Sequence, residues 1–549
     1  MSRRTPLHFL SLFCIFLLLA VGCGRPSGPA SSPSPSVLAP EQLVIGINTS
    51  RIRTLDPADA YEIVSGNLLY NLGDRLYTYE PESGELVPQL ASALPTISED
   101  GLIYTIPLRQ GVKFHDGEPF NAEAMAFSLN RFIQNTGKPS FLLSDIIFQD
   151  EATQEYGIRA TGDYELTLEL KQPFAAFTDL LAFSGLVAVS PKAYQEAVGA
   201  NEFLPTEFVG TGPYQLDSFG NDLIRLKVFP DYWGEAPKNQ GINVKLYSSS
   251  ANLFNAFRTG SVDMTYQSLE PVQIEALINQ AEAGDWQVTE GPGNVITYLT
   301  LNLRDEDLKK VEVRQALAAM IDRPLLEERV FRKQSAPLFS LIPTIFDVSE
   351  PVFEKTQKSV AEVKDLLKQV GYDEQNPLTL DFWFRSNVSS NGAAASTIKA
   401  VIDRDYAPVV QVNLKSIESA TAYENLDKGT YPIFMLDWYG DFYDPDNYVQ
   451  PFMDCEQGNP EQGCEQGASQ TQGSFFFNDR VNELIDQQRQ TIDPQKRKAI
   501  FKELQEILVQ EVPFIPLWQN KDYVFAQTNV QGIQLQPTQQ FSFAPLKKS

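Results

Sequence analysis

Strand-like and helix-like patterns follow one another irregularly along this chain, and their order limits the fold more than any other feature of the sequence. Residues 164–170 alternate apolar and polar side chains, as a strand with one buried face does. Similar patterns predict strands at residues 43–47, 102–108, 223–228, 242–247 and 431–436, and helical spacing predicts helices within residues 123–132, 311–321, 360–370 and 480–509. Since no regular strand–helix–strand repeat is present, we expect α/β or α+β lobes with mixed sheets.

The size and charge of the chain exclude several classes of protein. At 549 residues it is several times the length of a usual domain, which favours about three or four domains. Its 43% hydrophobic and 21% charged residues are typical of a globular protein. The net charge of −26, from 44 Lys and Arg against 70 Asp and Glu, argues against nucleic acid as a partner, because a surface that follows phosphates needs clustered cations.

The N-terminus has the pattern of an exported lipoprotein. Arg3 and Arg4 precede an apolar run over residues 9–21, and small residues stand immediately before Cys23. We therefore predict a signal peptide over residues 1–22 and lipidation of Cys23. The run is shorter than the roughly 20 apolar residues that span a bilayer, although a short uncleaved anchor is the alternative. Arg3 and Arg4 leave open whether export follows the general secretory or the twin-arginine route.

The residues that follow Cys23 predict a tether and an extracytoplasmic body. Residues 23–40 are rich in Pro and Ser and have no helix or strand pattern. Disulfides persist outside the cytoplasm, and we predict one between Cys455 and Cys464, which are separated by a polar segment with Gly and Pro. No metal site or cofactor is predicted, because this spacing does not suit zinc and His115 is the only histidine outside the signal region.

The sequence contains no recognisable catalytic motif. The serine-nucleophile pattern G-x-S-x-G, the phosphate-binding pattern G-x-x-x-x-G-K and the zinc pattern H-E-x-x-H are absent. Residues 210–214, GTGPY, predict a tight turn before a strand rather than a phosphate loop. His115 is the one candidate for histidine acid–base chemistry, and residues 113–117 around it are typical of a surface turn. Glycoside hydrolases use two carboxylates that lie close together in the folded protein, and the sequence alone neither shows nor excludes such a pair.

Seven short motifs occur in a fixed order along the body of the chain and together resemble one family. Leu55-Asp56-Pro57 comes first, and residues 100–117 hold the most recognisable stretch. The other motifs lie at residues 86–91, 210–214, 231–234, 313–323 and 371–372. In this order they resemble the family 5 extracellular solute-binding proteins of bacterial ABC importers, the group of the dipeptide- and oligopeptide-binding proteins. Departures at Ala124 and over residues 402–412 do not touch the expected ligand site.

The resemblance implies an α/β, two-lobe periplasmic-binding-protein fold of type II, cluster C-like, with mixed sheets and an extra subdomain in the first lobe. Lobe I would comprise residues 41–82, 206–293 and 511–549, with residues 83–205 as its inserted subdomain, and lobe II would comprise residues 294–510. The lobes would close on ligand by a hinge motion. The body has no Pro- or Ser-rich linker, which is consistent with interleaved lobes.

The segment DWYGDFYDPDNY, residues 437–448, places four aspartates among aromatic residues. It follows a predicted strand, so its first residues would lie at a strand end, where open α/β sheets bind ligands. In peptide-binding members of the family an Asp three residues after a Trp pairs with the α-ammonium of the peptide. By this resemblance Asp441 is the ammonium partner. Gly440 would give the ligand backbone room, and Trp438 and Tyr439 would form walls of the cleft.

The remaining acids of this segment have simpler interpretations. Residues 444–447 predict a turn that caps the next helix, and the order of the acids does not match a calcium loop. Trp438 suits the core as well as a cleft wall, and Asp437 has no assigned role. On the other side of the cleft, Tyr61 and Ile63 fall where members of the family contact ligand.

We expect a binding protein with no catalytic residues: a lipid-anchored monomer that captures peptides and delivers them to an ABC permease with its ATPase. It would lie in the periplasm or on the outer face of the cytoplasmic membrane, held there by the lipid on Cys23. Nickel chelates, haem and sugars are the alternative ligands within the family, and the ammonium partner Asp441 favours peptides. A secreted hydrolase and a signalling receptor subunit are the alternative classes.

Overall fold

The computed structural model describes residues 42–49, 52–81, 83–266, 269–536, 538 and 540–549. The predicted signal peptide, the lipidated Cys23 and the tether lie outside these residues. In the described ranges no helix is long and apolar enough to cross a lipid bilayer.

Strands and helices are mixed along the whole described chain. The strands are β1 Leu43–Asn48, β2 Tyr77–Tyr79, β3 Leu86–Pro88, β4 Thr96–Ile97, β5 Ile103–Pro107, β6 Ile158–Gly162, β7 Glu165–Glu169, β8 Tyr214–Phe219, β9 Leu223–Val228, β10 Ile242–Tyr247, β11 Met264–Tyr266, β12 Gln287–Leu301, β13 Ser335–Pro337, β14 Leu378–Arg385, β15 Val410–Ile417, β16 Ile433–Trp438, β17 Gln457–Asn459, β18 Gly463–Gln466, β19 Phe514–Ala526, β20 Val530–Gln531 and β21 Lys547–Lys548. The α-helices are α1 Ile63–Leu72, α2 Ala122–Gln134, α3 Phe141–Ser144, α4 Phe177–Leu180, α5 Pro191–Tyr194, α6 Ser250–Arg258, α7 Pro271–Glu282, α8 Val311–Met320, α9 Arg323–Leu326, α10 Val360–Gln369, α11 Ser389–Asp405, α12 Ser419–Leu426, α13 Gln450–Met453, α14 Ala468–Thr471, α15 Asp479–Gln490 and α16 Pro494–Glu511. Short 3₁₀ helices span Val352–Thr356 and Pro445–Tyr448, and a π-helical turn spans Glu327–Phe331.

One mixed sheet of 11 strands runs through the molecule. Its order is β15-β14-β16-β12-β19-β11-β1-β10-β9-β8, with β13 paired to β19 outside this path. Strand β14 is parallel to β15 and β16, and β1 is parallel to β10 and β11, whereas β12 and β19 are antiparallel to each other. A separate antiparallel sheet has the order β4-β5-β7-β6. The predicted mixture of sheets is confirmed.

The patterns of the sequence correspond closely to these elements. The predicted strands become β1, β5, β7, β9, β10 and β16, and three of the predicted helices become α2, α8 and α10. The helical pattern over residues 480–509 is broken into two helices, which the sequence analysis did not anticipate. The break occurs because Pro494 has no N–H to continue α15, while the Asp493 carboxylate accepts the backbone N–H groups of Gln495 and Lys496 and so begins α16.

Buried apolar side chains of the described chain form three clusters. One is drawn from residues 296–518. A second is drawn from residues 76–188 together with Phe442. The third combines residues 43–72, 187–266 and 524–546. Phe442 therefore fixes the segment over residues 437–448 to the second cluster, while the lobe boundaries given above remain predictions.

Strands β12 and β19 connect two of these clusters. They are 15 and 13 residues long, and their ladder is interrupted between Pro292 and Ile296. Strand β19 contributes Trp518 to the cluster of residues 296–518 and Val524 to the third cluster. The two strands form a ribbon from one core to the other, with an irregular point near its middle.

The motif Leu55-Asp56-Pro57 contains one partner of a buried ion pair. Both Arg131 Nη atoms donate to the Asp56 carboxylate, at 2.8 and 2.6 Å, and the two side chains are 2% and 0% exposed. The same carboxylate accepts the backbone N–H of Ala58 at 3.0 Å and of Leu204 at 2.6 Å. Asp56 thus connects the segment around residues 55–58 to helix α2, through Arg131, and to the loop that contains Leu204.

The carboxylate of Asp74 connects three of the other motifs. It accepts hydrogen bonds from Gln89 Nε2 at 2.8 Å, from Thr211 Oγ1 at 3.0 Å and from Trp233 Nε1 at 2.9 Å. Burial raises the pKa of Asp74, and the bonds from Trp233 and Thr211 act in the opposite direction. Each of these three donors comes from a different motif, so the motifs meet at one buried acid that the sequence analysis did not single out.

Candidate ligand-binding cleft

The residues predicted to contact ligand all border one cavity. Its volume is about 550 Å³, and we call it the aromatic chamber; its lining includes Asp441, Trp438, Tyr439, Gly440, Tyr61 and Ile63. Tyr79, Phe183, Tyr423, Phe442 and Tyr443 also line it. The start of α1 forms one wall and the chain after β16 forms another. The tertiary fold therefore brings together residues that lie far apart in the sequence.

The carboxylate of Asp441 is held at the border of the aromatic chamber. The Tyr61 hydroxyl donates to Asp441 Oδ1 at 2.7 Å, which joins the two walls. The backbone N–H of Asp441 donates to Asn447 Oδ1 at 2.8 Å. Burial raises the pKa of Asp441 to about 6, while the bonds with Tyr61 and Asn447 act to lower it. The carboxylate is therefore ionised at neutral pH and can accept a hydrogen bond from a cationic ligand group.

Trp438 is both packed and part of the cavity wall. Its Nε1 donates to the carbonyl oxygen of Asn447 at 2.9 Å, and its ring meets the Phe452 ring edge-on at 5.5 Å between centroids. Asn447 thereby fixes Trp438 through its backbone and Asp441 through its side chain. The sequence analysis assigned Asn447 only to a turn, and no local signal indicated that it would hold Trp438 and Asp441 in place.

Gly440 is required by the protein's own packing. A Cβ atom at Gly440 would lie 2.7 Å from the Tyr448 hydroxyl. Tyr448 is 1% exposed, and its hydroxyl donates to the Asn294 carbonyl at 2.7 Å. The predicted reason for this glycine was close approach of the ligand backbone, and the structure supplies a different one: room for Tyr448.

Replacing Gly440 with Ala is expected to lower the free energy of unfolding by about 1 to 3 kcal/mol, because the new methyl group forces the buried Tyr448 ring to move. Thermal unfolding of the purified variant measures the effect. Gly162→Ala is a matched control, since its Cβ would meet only Glu165 Cβ at 3.5 Å. Equal melting temperatures for the two variants would contradict the packing role of Gly440.

The predicted turn and cap over residues 444–447 are confirmed. The Asp444 carboxylate accepts the backbone N–H of Asp446 at 2.8 Å and begins the 3₁₀ helix Pro445–Tyr448. Asp444 also receives two hydrogen bonds from Arg497, at 2.6 and 2.7 Å, and Asp446 receives three from Arg489, at 2.9, 3.0 and 3.2 Å. These arginines lie on α15 and α16, so the loop that carries Asp441 is attached to two helices.

Asp437, which had no predicted role, forms an ion pair with Arg385 at the end of β14. Arg385 Nη1 also donates to the Tyr423 hydroxyl at 3.0 Å. Asp437 and Tyr439 border both the aromatic chamber and an adjoining cavity of about 380 Å³, which we call the polar chamber. The lining of the polar chamber includes Gln334, Arg385, Asn391, Trp518 and Asp522.

Tyr79 and Asp179 are lining residues that the sequence analysis missed. The Tyr79 hydroxyl donates to Asp179 Oδ1 at 2.9 Å, and the Tyr79 ring meets the Tyr443 ring at 5.4 Å between centroids. Burial and the nearby Asp444 raise the pKa of Asp179 to about 7. Neither residue belongs to a motif, so only the fold reveals that they face the cavity.

His115 and the two cysteines lie away from the aromatic chamber. His115 lies in the predicted turn, but its ring folds inward, where Nδ1 accepts the Gly210 N–H at 3.3 Å and Nε2 lies 3.0 Å from the Gly212 carbonyl oxygen. Burial lowers the pKa of His115 to about 4. The sulfur atoms of Cys455, which precedes β17, and Cys464, which lies on β18, are 2.09 Å apart, at bonding distance. Within the described ranges no group of His, Cys, Asp and Glu side chains is arranged to hold a metal ion.

An acid among aromatic side chains, at the edge of a cavity of this size, is typical of proteins that bind a small polar molecule. A family model described as "Bacterial extracellular solute-binding proteins, family 5 Middle" matches residues 85–460. The chain belongs to family 5 of the bacterial extracellular solute-binding proteins. The resemblance found in its motifs is confirmed, and the chain is a transport binding protein of the ABC-importer type rather than an enzyme.

Relatives and solved structures agree with this assignment. The glutathione-binding protein GsiB of Salmonella typhi is 27% identical over 531 residues, which cover 95% of this chain and 96% of the relative. The structure of the periplasmic binding protein DppA of Helicobacter pylori with the peptide STSA matches with a TM-score of 0.76 at 22% identity, over 92% of this chain and 98% of that one. A dipeptide-binding protein of Pseudoalteromonas sp. SM9913 with Met-Leu has a TM-score of 0.75 at 22% identity, over 92% and 100%. The α/β fold of the type II periplasmic-binding proteins is thereby confirmed.

Proposed function

We propose that this chain captures short peptides in the aromatic chamber and delivers them to the permease of an ABC importer. The observation that carries the proposal is the position of Asp441, whose carboxylate borders the cavity with the other five predicted ligand residues around it. In this proposal Asp441 pairs with the α-ammonium of the peptide. Trp438, Tyr439 and Gly440 form one wall of the peptide site, and Tyr61 and Ile63 form the wall across from it.

The chemistry of the cavity suits the amino end of a peptide. A carboxylate removed from water is costly unless a cation pairs with it, so a ligand ammonium would bind Asp441 strongly. The Tyr61 hydroxyl already donates to one carboxylate oxygen at 2.7 Å and holds it in a fixed direction. Aromatic rings with polar tips provide apolar area for a ligand side chain at little entropic cost.

The relatives support peptides and also introduce a second candidate, glutathione. The curated relative that covers 95% of this chain is a glutathione-binding protein, whereas the two solved structures hold STSA and Met-Leu. Glutathione carries an ammonium group and amide bonds, so it presents the same groups to an acid and to polar walls. Glutathione is therefore the closest competitor of α-linked peptides in this proposal.

The proposal also covers location and assembly. Lipidation of Cys23 would anchor the body outside the cytoplasmic membrane, and added acyl chains make such anchoring stable. A disulfide between Cys455 and Cys464 would form in that compartment. The protein would act as a monomer, close its two lobes over the ligand, and then meet the transmembrane subunits and their ATPase.

Mass spectrometry of the molecules released from purified protein tests the proposal. The expected result is a set of short α-linked peptides that co-purify with the chain. Recovery of sugars or metal complexes alone would overturn it. Calorimetric titration with tri-alanine and with glutathione then separates the two candidates, and tight binding of glutathione without any binding of tri-alanine would replace α-linked peptides by glutathione as the ligand.

A further inference from the structure

We propose that the aromatic chamber selects peptides with a cationic side chain over neutral and acidic ones, with the Asp179 carboxylate as the acceptor of the second positive charge. The inference rests on the proposed peptide function and deepens it, because it names the charge class of the ligand. Asp179 and Asp441 line the same cavity of about 550 Å³. A peptide with its α-ammonium at Asp441 would therefore share that cavity with a second carboxylate.

The charged side chains in the described lining of the aromatic chamber are all acidic. They belong to Glu62, Asp179, Asp437 and Asp441. Among the described residues, no Lys, Arg or His lines this chamber, whereas Arg385 and Lys521 line the adjoining polar chamber. Because like charges repel and opposite charges attract, a lining of one sign favours a ligand of the other sign.

Two of the four acids are paired with cations of the protein. Arg53 Nε donates to Glu62 Oε1 at 2.7 Å. Asp437 forms the ion pair with Arg385 described above. These two carboxylates therefore contribute less to the attraction of a ligand cation than their number suggests, and the argument depends on Asp441 and Asp179.

Asp179 shares one guanidinium with a second carboxylate. Arg497 donates both of its Nη groups to Asp444, at 2.6 and 2.7 Å, while Asp179 Oδ1 accepts the neutral Tyr79 hydroxyl at 2.9 Å. Burial and the charge of Asp444 raise the pKa of Asp179 to about 7, and the charge of Arg497 acts in the opposite direction. A ligand cation beside Asp179 would supply the second positive charge and favour the ionised carboxylate.

Two uncharged side chains of the lining also favour a donor. Asn294 Oδ1 and Gln540 Oε1 are buried and have no hydrogen-bond partner in the described part of the chain. Asn294 is 5% exposed, and its backbone carbonyl accepts the Tyr448 hydroxyl, which lies against Gly440. An ammonium brings three N–H groups to such acceptors, whereas a ligand carboxylate brings none and would leave them unpaired.

The aromatic side chains near Asp179 suit the rest of a lysine or arginine side chain. The Tyr79 ring meets the Tyr443 ring at 5.4 Å between centroids, and both residues line the chamber. Phe183 lines it as well. Such rings pack against an aliphatic stem, and their faces attract the cation at its end.

Calorimetric titration with matched peptides at pH 7.5 tests the inference. The probes are Ala-Ala-Ala, Lys-Ala-Ala and Ala-Lys-Ala, with Gln and Glu counterparts of the two lysine peptides, and glutathione as an acidic ligand with one ammonium. We expect at least one lysine peptide to bind wild-type protein tenfold or more tightly than its Gln counterpart. Its Glu counterpart and glutathione should bind tenfold or more weakly than Ala-Ala-Ala.

The variant Asp179→Asn tests the assigned acceptor. The preference for lysine over glutamine should fall to threefold or less in this variant. The new amide can still accept the Tyr79 hydroxyl, and the repulsion between Asp179 and Asp444 is removed, so we expect the fold to persist, as circular dichroism would show. The exposed Asp285→Asn is the matched control and should keep the wild-type preference.

Four outcomes decide the matter. Binding of Ala-Ala-Ala with equal affinities for the Lys, Gln and Glu peptides overturns the inference and leaves the proposed function standing. Failure of every peptide to bind overturns both. A lysine preference that survives in Asp179→Asn removes Asp179 as the acceptor. Should that variant unfold, a crystal structure of the wild type with the preferred lysine peptide decides instead: the side-chain ammonium should lie within about 4 Å of the Asp179 carboxylate, and a larger separation overturns the assignment.

Discussion

Asp441→Asn is expected to bind peptides at least about a hundredfold more weakly than the wild type. The substitution keeps the size of the side chain but removes the charge that would pair with the α-ammonium. Loss of one partner of a desolvated ion pair costs about 3 to 5 kcal/mol, and about 1.4 kcal/mol corresponds to a factor of ten in affinity. Calorimetry with tri-alanine measures the change, and circular dichroism checks that the fold is intact.

The pH dependence of binding provides an internal control for Asp441. Its pKa is raised to about 6 by burial, so below this pH the carboxyl group becomes neutral and no longer attracts an ammonium. Affinity for tri-alanine should therefore fall as the pH is lowered from 7 to 5 in the wild type, and the same fall should be absent in Asp441→Asn. Equal affinities of the two proteins at pH 7 would remove Asp441 from the site.

Asp56→Ala is expected to be among the most destabilising single changes in this chain, lowering the free energy of unfolding by about 3 to 5 kcal/mol. It leaves the guanidinium of Arg131, which is 2% exposed, without its carboxylate partner. It also removes the acceptor of the backbone N–H groups of Ala58 and Leu204. Thermal unfolding followed by calorimetry measures the loss.

Two controls separate the buried charge from other effects of the Asp56 substitution. Asp231→Ala removes an exposed partner of Lys113, whose ammonium lies 2.8 Å from the carboxylate, and should change stability by less than about 1 kcal/mol. The double variant Asp56→Leu with Arg131→Met removes both buried charges and should recover much of the loss. A single Asp56→Ala variant as stable as Asp231→Ala would contradict the importance of this pair.

The sequence predicts local structure well because the patterns that create it are local. Alternation over residues 164–170 and helical spacing over residues 311–321 each need only one buried face, and both became the expected elements. The break before Pro494 was missed because a Pro within a helical pattern can end one helix and begin another without changing the apolar spacing. Periodicity reports which face is buried, not whether the helix is continuous.

For the candidate site, too, the sequence predicted what a local motif indicates and missed the contacts between distant residues. Trp438 to Asp441 were predicted as ligand residues from their resemblance to a family motif, and the structure places them beside Tyr61 and Ile63 at one cavity. The ion pairs of Asp437 with Arg385 and of Asp444 with Arg497 could not be predicted, because each joins residues more than fifty positions apart with no motif around the arginine.

The irregular point in the ribbon of β12 and β19 gives the molecule a place to bend. Between Pro292 and Ile296 the two strands are not regularly paired, so a change of angle there disrupts fewer hydrogen bonds than it would elsewhere along the ribbon. Gly293 lies within this interval and directly beside Asp522. The hinge expected between the two predicted lobes would therefore coincide with the interval from Pro292 to Ile296, in the ribbon that joins two of the cores.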